Sequence, residues 1–279
     1  MEAVLDVVRF AHYGACFVVF GASLFRLIAG NGWSDSRLRP IIVTASIAAC
    51  LSAGLWLALE AGYMADDWAS CARLGVLQSV LDDTLFGHVW RWRMPLALAL
   101  IFVSWRGGWW PMTIAGGCLL ASLAGEGHSV WTTARGSGVH FCNQMIHLLA
   151  AGAWLGALVP LRLLLGDPEV ASAEAMRGIR QFSRLGYVAV ALVLVTGAIN
   201  SVILGSDLSS ESARPWLIAL AIKLLLVAAM CALALANRIG VAREWSRARL
   251  YRSIGLEIAI GALVLAVACI LGTLAPPRA

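Results

Sequence analysis

The sequence predicts an all-α integral membrane protein, a single domain built as a bundle of eight transmembrane helices with both termini in the periplasm. Three observations predict it. Hydrophobic residues (AVILMFWYC) make up 60% of the 279 and charged residues 13%, whereas soluble domains carry about a quarter charged residues. Mean hydropathy is +0.81, and the apolar residues gather in eight stretches, each near the ~20 residues that a helix needs to cross a ~30 Å hydrocarbon layer. Finally, the 21 basic residues divide unevenly between alternate gaps, and basic loops stay in the cytoplasm.

The elements follow in order. The first stretch, about 8–29, contains Arg9 and His12 and has no small-residue cleavage site followed by a soluble domain, so it reads as a retained helix. The second covers about 40–62. The connection after it, 63–84, is the longest and reads as an outward loop carrying Asp66, Asp67, Asp82 and Asp83. A third helix over about 85–105 opens at His88, and a fourth over about 109–126 ends at Glu126, with His128 just beyond. The fifth, about 141–163, carries Asn143, Gln144 and His147, with His140 at its start. The sixth, about 183–204, holds Asn200 toward its outer end. Lys223 falls near mid-membrane in the seventh, about 215–236, and Glu257 in the inner part of the eighth, about 253–275. Connections this short leave no room for a soluble catalytic domain, so any chemistry sits in the bundle or just above it.

Arg26, Arg37, Arg39, Arg106, Arg162, Arg177, Arg180 and the run from Arg238 to Arg252 all fall on one side, which is assigned inward. On the other side acids outnumber bases, through Glu2, Asp6, Glu60, Glu126, Asp207 and Glu211 with the four loop aspartates, and such a face attracts cations. The formal charge of +5 therefore reflects contact with anionic lipid and not nucleic acid, for which no basic and aromatic stripe exists. Trp90, Trp92, Trp109, Trp110, Trp131 and Trp216 lie near helix ends as an interfacial belt. The seven cysteines form no CxxC pair; five fall inside helices as small apolar residues, while Cys71 and Cys142 share the outer side, where a disulfide is chemically permitted. No glycine-rich phosphate loop, nucleophile elbow or HExxH is present, which leaves hydrolase and ATPase chemistry without residues to perform it.

All five histidines map to the outer side. Imidazole is a common ligand for transition metals and haem iron, and ionisable groups inside a bilayer are costly enough to imply a function. His12 and His147 are the deepest and are expected to partner each other across facing helices. His88, His128 and His140 lie near the interface, where a histidine either anchors a helix or binds a ligand. His140 is placed at the surface, seven residues before His147 and on the same face, with Asn143 and Gln144 between them. Glu126 and His128 flank Gly127, so the carboxylate either binds a metal or orients the imidazole. The metal-ligand candidates are His12, His147, His128, His88 and Glu126, with His140, Asn143 and Lys223 behind them. Lys223 either snorkels or meets a cofactor carboxylate, and Asn200 makes a polar contact inside the bundle.

Residues 127–161, GHSVWTTARGSGVHFCNQMIHLLAAGAWLGALVPL, resemble the CopD copper-resistance membrane proteins in a GH segment followed by an HLLAAxxWLGxLxxL helix. Further similarity lies in RFAHYGACFVVFGASLF at 9–25, FSRLGYVAVALVLVTGAINS at 182–201, WLIALAIKLLLVAAM at 216–230 and LEIAIGALVLAVACILGTLAPP at 256–277, so nearly the whole chain is covered. The resemblance implies an inner-membrane copper-homeostasis protein that carries periplasmic copper ion inward, with His12, His128 and His147 at the matching positions and Trp154 packing the fifth helix. Methionine-rich copper motifs are absent. Two readings stay open. In one, the outer histidines and Glu126 bind copper, delivered by a periplasmic copper-binding protein. In the other, two deep histidines ligate haem b, and the protein is an electron-transfer module linked to quinone or reducing cupric ion.

Overall fold

The computed structural model describes residues 2–30, 35–126, 137–204, 213–243 and 246–274. Among them every regular element is helical: α1 (Glu2–Ala29), α2 (Asp35–Met64), α3 (Leu74–Asp83), α4 (Leu85–Arg106), α5 (Trp109–Ala121), α6 (Ser137–Gly166), α7 (Ser172–Leu204), α8 (Arg214–Arg243) and α9 (Arg247–Thr273), with 3₁₀ turns at Trp68–Ala72 and Ser122–Gly125. Each of the eight expected stretches coincides with a helix. The expected loop 63–84 is different, since most of it is a 3₁₀ turn followed by α3.

Among the described residues six helices, α1, α2, α6, α7, α8 and α9, are long and apolar enough to cross a membrane. The other two expected spans fall short for identifiable reasons. α4 carries Arg91, Arg93 and Arg106 in its 22 residues, and α5 has only 13.

Local chemistry sets the ends. Asp67 accepts from the N–H of Ala69 at 3.0 Å to start the first 3₁₀ turn, and Thr84 Oγ1 accepts from Gly87 N at 2.9 Å to start α4. Gly30, at φ +77°, closes α1, and Arg26 donates to its carbonyl at 2.6 Å.

α1 and α6 are the spine. α1 packs on α2, α5, α6 and α9, and α6 also holds α7 and α9. Their contact depends on glycine: a Cβ at Gly21 of α1 would overlap the backbone of Gly152 and Gly156 on α6, and one at Gly156 would overlap the Phe17 carbonyl. Small residues four apart let two backbones approach where no hydrophobic effect drives helices together. One apolar cluster fills the space among α1, α2, α4 and α5, and a second the space among α6, α7 and α9. Leu51, Trp92, Val202 and Leu225 point outward, as they should on a surface that lipid covers.

Candidate functional site

Two polar sites lie inside the bundle, each built around one of the deep histidines. His12 of α1 is fully buried. Its Nδ1–H donates to the Ala49 carbonyl at 3.0 Å, with Ser52 Oγ 2.9 Å away. A carbonyl only accepts, so the proton is on Nδ1 and the lone pair on Nε2. That lone pair is taken: Arg93 Nη2 donates to it, and the Cys16 thiol lies 3.6 Å away. Arg93 is itself fully buried on α4. Its other nitrogen donates to the Leu119 carbonyl at 3.2 Å and to Ser122 Oγ at 2.5 Å, and its guanidinium carbon lies 4.9 Å from the Trp90 ring centre. Toward the start of α1 the polar chain continues, with Trp56 donating to Glu60 at 3.2 Å and Arg9 pairing with the same carboxylate at 3.3 Å.

His147, on α6, meets α7. Its Nδ1 is 2.8 Å from Thr196 Oγ1. The one hydroxyl proton of Thr196 is committed to the Leu192 carbonyl at 2.5 Å, so the oxygen accepts from His147 Nδ1–H. The Nδ1–H bond to Thr196 leaves the lone pair on Nε2, and the ring also has a backbone hydrogen bond to Val193. Gly197 of α7 lies beside the imidazole, where a Cβ would make ordinary van der Waals contact with Cε1 at 3.4 Å. A polar ladder runs beside it. Asn143 donates to the Thr196 carbonyl at 2.9 Å and to Asn200 Oδ1 at 2.8 Å, and Asn200 donates to Gln144 at 2.8 Å. Lys223 of α8 lies within electrostatic range of His147.

The two deep histidines were expected to face each other, and each instead bonds to a different neighbour. His140, expected at the surface, is 2% exposed. The reason is that α6 begins at Ser137, which already sets His140 within the packed helix. His88 is exposed and donates from Nε2 to the Asp82 carbonyl at 3.1 Å. Glu126 follows the second 3₁₀ turn, within electrostatic range of Arg93, Glu60 and Arg9. His128 lies outside the described residues. Among the described residues no three histidine, cysteine, aspartate or glutamate side chains gather as metal ligands, and Cys71 and Cys142 are both free.

Arg93 and Thr196 are the site residues that sequence reasoning passed over. Arg93 did carry a signal, since an arginine inside an apolar stretch, at RWR, points to a buried partner. Thr196 carried no signal of its own.

In the 63–84 segment the aspartates divide. Asp67 accepts from Ala69 N and Ser70 Oγ, and these bonds hold its carboxyl below the usual range. Asp82 pairs with Arg91. Asp66 and Asp83 make no side-chain hydrogen bond or ion pair among the described residues.

Comparison with known proteins gives consistent results. Residues 1–139 match the family model described as the copper resistance protein D-like N-terminal domain, and residues 176–271 match that of copper resistance protein D. The inner membrane protein YebZ of Escherichia coli K12 is 29% identical over 292 residues, 96% of this chain and 97% of that one. Copper resistance protein D of Pseudomonas syringae pv. tomato is 29% identical over 307 residues, 99% and 98% of the two chains. Copper transport protein CutJ of Bacillus subtilis 168 is 28% identical over 95% of this chain and 51% of its own length. No solved structure matches.

Proposed function

The chain belongs to the copper resistance protein D family of multi-pass inner-membrane proteins, and from that premise we propose that it binds copper ion on its periplasmic side and moves it inward. The observation that carries the reading is the tautomer of His147, whose Nδ1–H bond to Thr196 leaves the lone pair on Nε2. A metal-binding imidazole gives one nitrogen to the metal and donates the other N–H to a neighbour, which fixes its tautomer and orientation. His147 is held in that state by Thr196, and imidazole is a good copper ligand.

The outer acids raise the local concentration of cations, and His88 and Glu126 lie toward the same end of the bundle, at the start of α4 and after α5. His12 has a different part. With both ring nitrogens hydrogen-bonded, it holds Arg93 in place and ties α1 to α2 and α4. The same bonds weigh against the haem reading, because a bis-histidine site needs two imidazoles with a free nitrogen each.

Copper content of the purified protein and copper uptake into membrane vesicles test this. His147→Ala abolishes both while the protein still inserts, since one imidazole contributes little to the apolar stretch that directs insertion. Thr196→Val leaves the imidazole in place but removes the acceptor that sets its tautomer, and weakens copper binding about 10–100-fold. Full copper content and uptake in His147→Ala overturns the assignment.

A further inference from the structure

At the end of the bundle where α2 starts, α6 ends and α9 starts, a cavity of about 280 Å³ opens between the three helices. Arg162 of α6 is its polar element. The guanidinium carbon stands 4.3 Å from the centre of the Tyr251 ring on α9. One turn further along α9, Gly255 leaves room for the guanidinium, since a Cβ there would come within 3.0 Å of Nη1. Gly166 leaves similar room for the Tyr251 ring, which a Cβ would meet at 3.0 Å. Arg162 is thus held flat against an aromatic ring, and it makes no hydrogen bond or ion pair among the described residues.

Arg37 of α2 lines the same cavity and pairs with Asp167 at 3.0 Å. Asp167 offsets Arg37, which leaves Arg162 as the lining cation with no carboxylate of its own among the described residues, and Arg247, donating to the carbonyls of Leu164, Leu165, Asp167 and Val170, adds to the positive charge nearby. The rest of the wall, Val159, Leu163 and Ile258, is apolar. A ligand matching all three features carries one negative charge, presents two oxygens to a planar fork of N–H donors, and has hydrocarbon attached.

We propose that this cavity is a binding site for the phosphodiester headgroup of an anionic phospholipid, seated on Arg162 with its acyl chains along Val159, Leu163 and Ile258. Basic pockets between membrane helices recognise anionic headgroups in this way. A zwitterionic lipid brings the same phosphodiester with a compensating cation, which the second arginine disfavours. Inorganic phosphate brings the oxygens without the hydrocarbon and leaves the apolar wall uncovered.

The test follows lipid binding to the detergent-purified full chain by native mass spectrometry, alongside its thermal unfolding midpoint. Three additions are compared: phosphatidylglycerol, phosphatidylcholine with the same acyl chains, and inorganic phosphate. Phosphatidylglycerol binds and raises the midpoint, while the other two do neither at equal concentration. Arg162→Gln weakens phosphatidylglycerol binding about tenfold, as loss of a charge-assisted contact does. Val159→Trp fills the acyl wall and weakens binding with both arginines in place, so it carries the comparison should Arg162→Gln fail to fold. Equal binding of the two lipids, reproduction of the effect by inorganic phosphate, or wild-type binding by the variants overturns the proposal.

Discussion

A buried guanidinium must find a partner for its charge and its five N–H groups, and Arg93 finds several: the Nε2 lone pair of His12, the Leu119 carbonyl, Ser122 Oγ and the face of Trp90. Removing His12 leaves one arm of that cation facing a cavity. His12→Ala is therefore expected to lower stability by about 2–4 kcal/mol, from a lost hydrogen bond to a charged group and a large-to-small change in the core. Unfolding of the detergent-solubilised protein followed by circular dichroism measures it. An unmoved midpoint with all copper lost would instead make His12 a ligand. At this scale the sequence was half legible. It placed His12 and His147 within long apolar helices, and they stand in α1 and α6. It did not give their neighbours, because a hydrogen bond such as that to Thr196, 49 residues away, depends on how helices rotate against one another.

At the scale of the element, the segment between α2 and α4 shows how a charge pattern divides between structure and field. The four aspartates read from sequence as one cation-attracting group, yet Asp67 caps a 3₁₀ turn and Asp82 pairs with Arg91. Asp66 and Asp83 are left to act at a distance. Neutralising this pair, Asp66→Asn with Asp83→Asn, should slow copper uptake several-fold at low salt and much less at physiological salt, where exposed charges are screened beyond about 8 Å. Asp67→Asn should instead loosen the turn. Its carboxyl is held below the usual range in the folded chain, so the stability it contributes is present above the normal aspartate pKa and is lost as pH falls through the depressed value. Uptake rates of both variants at two ionic strengths separate the roles, and an unchanged salt dependence in the Asp66 and Asp83 double variant removes the segment from copper capture. α3 itself escaped the sequence reading because its ten residues are too few to span a membrane, and a search for spans passes over a helix lying beside α4.

For the whole molecule the open point is whether α4 and α5 cross the membrane with the six longer helices. Length alone favours crossing: 13 residues of α-helix rise about 20 Å, and the four-residue 3₁₀ turn after them adds about 8 Å, close to the ~30 Å hydrocarbon layer. Position favours it too. The turn between α4 and α5 is tied to the start of α2, through Arg39 donating to the Gly107 carbonyl at 3.0 Å and Trp109 Nε1 donating to Asp35 at 3.2 Å. The far end of α5 leads to Glu126, within electrostatic range of Arg9 near the start of α1. Since α1 starts at one end of the bundle and α2 at the other, α5 runs the full height. The arginines that make α4 less apolar are compatible with crossing, because Arg93 is bonded inside the bundle and Arg91 pairs with Asp82 in the last turn of α3. Eight crossings would place both termini on one side, and the basic ends of α2, α6 and α7 would place that side outward. A protease-cleavable tag after Pro277 should then be cut in intact spheroplasts, and one inserted between Gly107 and Gly108 only after the membrane is opened. Cutting of the second tag from outside would leave α4 and α5 as a surface hairpin, with His12 and Arg93 no longer beneath a membrane-deep cover.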